Sequence, residues 1–148
     1  MDNCFAACGC DEFGISKSDL DRFTDKIENV LHDEKGRKLF RSFMFTSKMK
    51  HGRKTLDFLE HVERLLGYRE DEEGVPFRNF LGDIDNLMDE ADRIDELDFA
   101  LMERLTTARS SENIEGIMES LKLVKVEVTG ALRREYSAFR AHFIKFKQ

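Results

Sequence analysis

Apolar residues recur at three- and four-residue steps along most of this chain, the spacing that lines up one face of an α-helix. Leu20, Phe23, Ile27, Val30 and Leu31 make one such stripe, and Leu56, Leu59, Val62, Leu65 and Leu66 a second. Phe77, Phe80, Leu81, Ile84, Leu87 and Met88 make a third, and Ile117, Leu121, Val124 and Val128 a fourth. One proline in 148 residues leaves these stripes room to run, and thirteen phenylalanines supply the bulk of an aromatic core. The pattern predicts an all-α fold. A chain of this length buries roughly two-thirds of its extended surface, so a single domain over residues 16–148 is the simplest reading.

Local signals place the breaks. Residues 1–15 read as a flexible arm, and Ser16 or Ser18 can cap the first helix by accepting a bond from an orphan amide of its opening turn. Gly36 interrupts the first stripe, which restarts at Leu39, Phe40 and Phe43. Thr46 to Lys54 is polar, contains Gly52 and reads as a connection. The second stripe stops near Gly67, and Arg69 to Gly74 is a charged loop. Pro76 opens the next helix, because its fixed φ suits the first turn and its missing amide is not needed there. Ile94 to Leu105 supplies a further helix or two, and Ser110 or Ser111 begins the last long helical region. Leu123 to Thr129 alternates in a way that also suits a strand. A lone strand would have no partner elsewhere in the sequence, so helix is the better reading.

Composition narrows the function classes. A charged fraction of 36% beside a hydrophobic fraction of 41% suits a soluble helical protein. No apolar run reaches the length of a membrane span, and the acidic start Met1-Asp2-Asn3 does not read as a secretory signal. The net charge of −6 argues against nonspecific nucleic-acid binding. Nothing resembles a phosphate-cradling glycine loop or a nucleophile elbow, and no motif asks for a cofactor. Asp57 and His61 share a helix face, but one such pair is an ordinary surface interaction rather than a metal site. Asp83 and Asp85 lack the glycine and closing glutamate of a calcium loop. The reading is of a protein that is not an enzyme.

Two clusters stand out. Cys4, Cys8 and Cys10 are the only cysteines. An odd count with no distant partner predicts a reducing, cytoplasmic compartment. The three thiols admit three readings: incidental residues of a mobile arm, acceptors for reversible acylation that gives peripheral membrane attachment, or zinc ligands lacking an obvious fourth. The segment Lys48-Met49-Lys50-His51-Gly52-Arg53-Lys54 has no acid in seven residues. Its cations Lys48, Lys50 and Arg53 form either a solvated connection or a surface for anionic headgroups or an acidic protein.

One family accounts for the pattern of core residues. Phe23, Ile27-Glu28-Asn29-Val30-Leu31, Gly36, Phe40 and Phe43, with Tyr136-x-x-Phe139 near the end, resemble the regulator-of-G-protein-signalling (RGS) homology domain. Gly36 to Phe43 followed by Leu56-Asp57-Phe58-Leu59 is particularly similar to the homology domain of G-protein-coupled receptor kinases. The likeness covers residues 20–146, though Glu70 to Ser120 matches only in helical character. It implies a bundle of about nine helices and a protein partner, a Gα subunit first of all. The family surface falls on Lys54, Thr55, Arg134, Glu135 and Ala138. Active members place an Asn before the Leu-x-Phe helix to position the Gα glutamine that orients the attacking water. Thr55 stands there instead, and Arg53-Lys54 replace an acidic loop. The family's Asp and Arg near the closing motif fall on Arg134 and Ala138. The resemblance thus implies a noncatalytic interaction module, with a weak GTPase activator or a helical scaffold without G-protein connection as alternatives.

Overall fold

The computed structural model describes residues 14–69, 76–95 and 97–147, and among them every regular element is helical. In chain order these are α1 (Lys17–Phe23), α2 (Ile27–Leu31), α3 (Glu34–Thr46), α4 (Lys50–Leu66), α5 (Phe77–Ala91), α6 (Phe99–Ser110), α7 (Ile114–Ala131) and α8 (Arg133–Ile144), closed by a 3₁₀ turn at Lys145–Lys147. Leu123 to Thr129 lies inside α7, so the ambiguous tract is helix. The chain divides into two compact units where the sequence pattern suggests one domain. The first joins the described residues up to Arg53 with those from Leu132 onward, and the second is Lys54–Ala131.

The first unit begins with a reciprocal cap. The Ser16 hydroxyl accepts from the Asp19 amide at 3.0 Å, and the Ser16 amide donates to the Asp19 carboxylate at 3.0 Å. Ile15 and Leu20 occupy the staple positions on either side of that cap, and both are buried. Ile15, which the sequence reading puts at the end of the arm, belongs to the core; residues 1–13 lie outside the described residues. The break expected at Gly36 falls instead at His32 and Asp33. Asp33 caps α3 by accepting from the Gly36 amide at 3.1 Å, which places Gly36 inside the first turn.

The core of this unit is aromatic. Phe40 and Phe139 meet edge-on at 5.1 Å between ring centroids, as do Phe43 and Phe139 at 5.8 Å, and Phe139 and Phe143 pack tilted at 4.7 Å. Polar bonds from α8 close the unit onto α1. The last carbonyls of a helix lack intrahelical partners. Here the Tyr136 hydroxyl donates to the Phe23 carbonyl at 2.8 Å, and Arg140 Nε donates to the Thr24 carbonyl at 2.7 Å. Arg140 also brings positive charge to the negative end of α1.

The second unit carries its own apolar residues, including Phe58, Val62, Phe80, Ile84, Leu87, Leu105, Leu121 and Val124, all buried. Tyr68 stacks on Phe80 at 4.2 Å. Arg109 grips Asp85 with two bonds, Nε at 2.8 Å and Nη2 at 2.9 Å, tying α6 to α5. Its guanidinium holds the Asp85 carboxyl below the usual carboxylate range. Lys125 pairs with Glu63 at 2.8 Å, linking α7 to α4. Pro76 does open a helix, as the residue before Phe77, and Gly82 leaves α5 unbroken. Ser110 and Ser111, read as a helix start, end α6. The start of α7 is marked instead by Asn113, whose side-chain oxygen accepts from the Gly116 amide at 3.2 Å.

Candidate partner-binding surface

The segment Lys48 to Lys54 is mostly helical. Only 47–49 separate α3 from α4, so Lys50, Arg53 and Lys54 stand on the opening turn of a helix rather than in a loop. Gly52, which in the sequence reads as a loop residue, is helical. Gly52 is buried because the first turn of α4 packs within the first unit: a Cβ there would stand 2.6 Å from Met44 Sδ and 2.7 Å from Glu135 Cγ. That opening turn has no acidic residue, so the cations sit uncompensated at the positive end of the helix dipole. Lys48 and Lys50 are exposed, and the Arg53 guanidinium lies 4.9 Å from the centre of the Phe45 ring.

The five residues on the family-equivalent surface behave differently from one another. In the first unit Arg134 is exposed and Ala138 half-buried, whereas Glu135 is only 5% exposed. Glu135 lies on the inward side of α8, at the i+3 step from Leu132 and four residues before Phe139. In the second unit Lys54 is exposed, whereas Thr55 is 1% exposed. Thr55 shares the buried face of α4 with Leu59 and Val62, at i, i+4 and i+7. Thr55 and Glu135 are thus interior residues, which corrects their placement on a partner-facing surface. Lys54 and Arg134 remain accessible.

Cys4, Cys8 and Cys10 lie outside the described residues, as does most of the charged loop after Arg69. His61 Nδ1 lies 2.9 Å from Glu90 on α5, so its neighbour is a carboxylate of another helix. Among the described residues, no group of three or more His, Cys, Asp and Glu gathers in a way that could hold a metal ion. No helix among them is long and apolar enough to cross a membrane.

The structure adds apolar surface that the periodic reading passed over. Phe99, Leu123 and Val126 in the second unit are exposed, Val126 at 71%. A groove between α6 and α7 is lined by Leu101, Leu123 and Val126, with Asp98, Arg104 and Glu127 among its polar residues. The signal was present in α7, whose apolar residues exceed the one stripe that a helix can bury. In comparisons with family models, with curated proteins and with solved structures, the chain has no significant match.

Proposed function

We propose that this chain is a noncatalytic RGS-like interaction module of intracellular signalling that binds a Gα subunit without accelerating GTP hydrolysis. The observation that carries the reading is how the residues of the resemblance pack. Phe23, Ile27, Val30, Phe40, Tyr136 and Phe139 come from the two ends of the chain, and all are buried in the same unit. The Tyr136 bond to the Phe23 carbonyl joins the opening and closing segments across 113 positions.

The departures from the family pattern support binding over activation. The Thr55 side chain is interior and carries no amide to offer a Gα glutamine. Lys54 and Arg134 present positive charge where active members present negative, which makes the docking mode used by active members strongly unfavourable for this chain. A weak activator remains the alternative within the family. A helical scaffold without G-protein connection is a second reading, favoured by the exposed Phe99, Leu123 and Val126. Our reading is of a cytoplasmic module, for which acylation of Cys4, Cys8 and Cys10 is one route to peripheral membrane attachment.

Single-turnover GTP hydrolysis by a panel of Gα subunits, with and without the protein, tests this reading alongside pulldown in the GDP, GDP–aluminium fluoride and GTP-analogue states. The expected result is capture in at least one state with an unchanged hydrolysis rate. Acceleration would establish the activator, and no capture in any state would leave the scaffold.

A further inference from the structure

Eight of the chain's 24 lysines and arginines fall between Lys35 and Leu56, a stretch without Asp or Glu in a protein of net charge −6. The remaining 16 cations therefore stand against 30 acids. The end of the basic stretch surrounds an exposed aromatic. Phe45, in the last turn of α3, is 66% exposed, a large apolar side chain left in water. Lys48 follows in the connection and Lys50 opens α4, both exposed and neither in an ion pair among the described residues. Arg53 stacks over the Phe45 ring.

We propose that this turn docks on an anionic lipid surface, with Lys48, Lys50 and Arg53 meeting headgroup phosphates and carboxylates and Phe45 entering between them. Charge complementarity supplies the attraction: cations of one sign are gathered on an otherwise acidic protein, opposite the anionic leaflet of a membrane. The exposed ring decides between lipid and acidic protein. A polyanionic peptide satisfies the cations but does nothing for Phe45. A lipid interface sets charged headgroups directly above an apolar layer and accommodates both. Nucleic acid fits less well, because one aromatic is too few to stack successive bases. The proposal is independent of any Gα interaction, and its test has a separate readout.

The chain contains no tryptophan, so Phe45→Trp puts a single indole at the surface. Its emission is expected to shift to the blue on titration with phosphatidylcholine–phosphatidylserine vesicles and to stay unchanged with phosphatidylcholine alone. In co-sedimentation of the full chain, K48E/K50E is expected to weaken binding to the anionic vesicles by at least about 25-fold, from about five-fold per cation lost. Added salt weakens wild-type binding in the same direction. K122E, an exposed lysine on α7, is the control and leaves binding unchanged. Circular dichroism checks that each variant is folded. Absence of a blue shift on anionic vesicles, an equal shift on neutral ones, or binding indifferent to K48E/K50E would overturn the proposal. Binding of soluble polyglutamate without binding to vesicles would assign the turn to an acidic protein and overturn it equally.

Discussion

A glycine inside a helix ordinarily costs about 1 kcal/mol against alanine, so each helical glycine of this chain poses a question of space. At Gly82 and Gly130 an added Cβ would meet nothing within 4 Å. At Gly36 it would stand 2.8 Å from the Val30 carbonyl oxygen and 3.0 Å from Val30 Cα, where α2 and α3 meet backbone to backbone. Gly82→Ala and Gly130→Ala are each expected to raise stability by up to about 1 kcal/mol in urea denaturation. Gly36→Ala is expected to lower it by about 1–3 kcal/mol, because backbone must move to admit the methyl. Equal effects at the three positions would refute this distinction. Tyr136 makes part of the stability depend on pH. Removing its hydroxyl in Tyr136→Phe leaves the Phe23 carbonyl without that donor, a loss of about 1–2 kcal/mol at neutral pH. Burial pushes the phenol up to about 12 from an ordinary value of 10. Below pH 10 both folded and unfolded chains keep the proton, so the stabilisation is complete. Between pH 10 and 12 the unfolded chain ionises first, and this part of the stability drains away. The stability gap between wild type and Tyr136→Phe should therefore narrow across that window. A gap constant from pH 7 to pH 12 would show that the phenol is not held protonated by the fold.

At the scale of elements, two helices end in the same way on unusual residues. After α3, the Lys48 amide bonds to the Phe45 carbonyl and the Met49 amide to the Met44 carbonyl, at 3.2 and 2.8 Å. After α6, the Glu112 amide bonds to Arg109 and the Asn113 amide to Ala108, each at 3.0 Å. Both are Schellman caps, whose turning residue is usually glycine because φ must be positive. Lys48 has φ 61° and Glu112 φ 52°. Glycine relieves about 1–2 kcal/mol of left-handed strain but adds unfolded-state entropy worth about half of that. Lys48→Gly and Glu112→Gly should each stabilise by about 0.5–1 kcal/mol, read as a higher urea midpoint with unchanged slope. A lower midpoint at either position would count against the strain. These caps also explain which boundaries were hard to read. The sequence signal for a helix end is glycine just beyond it, and neither α3 nor α6 has one. Gly52, which does look like punctuation, is instead a close-packing residue inside α4. At Ser16, where ordinary cap chemistry operates, and at Pro76, which directly precedes α5, the boundaries are legible to within a residue.

At the scale of the whole chain, what periodicity conveys is which residues are buried, and most members of the four stripes are. What it does not convey is pairing. Nothing in the spacing of Phe23 or Phe40 says that their partners lie beyond residue 131, and the division into two units follows from that pairing. For the same reason Thr55 and Glu135 were misplaced: a polar residue on an inward helix face looks identical, in sequence, to one on the outward face. The consequence for folding is specific. The first unit needs both ends of the chain, so α1 and α3 have no complete core until α8 arrives, and closing so long a loop is entropically slow. Phe139 is the residue on which this closure turns, since its ring touches Phe40, Phe43, Tyr136 and Phe143. Phe139→Ala should cost about 3–5 kcal/mol. More tellingly, native-state hydrogen exchange should show amides of α1 and α3 losing protection together with those of α8, although they lie about a hundred residues away in sequence. If protection fell in α8 alone, the two ends would be folding separately, and the first unit would be held together by something other than the aromatic cluster.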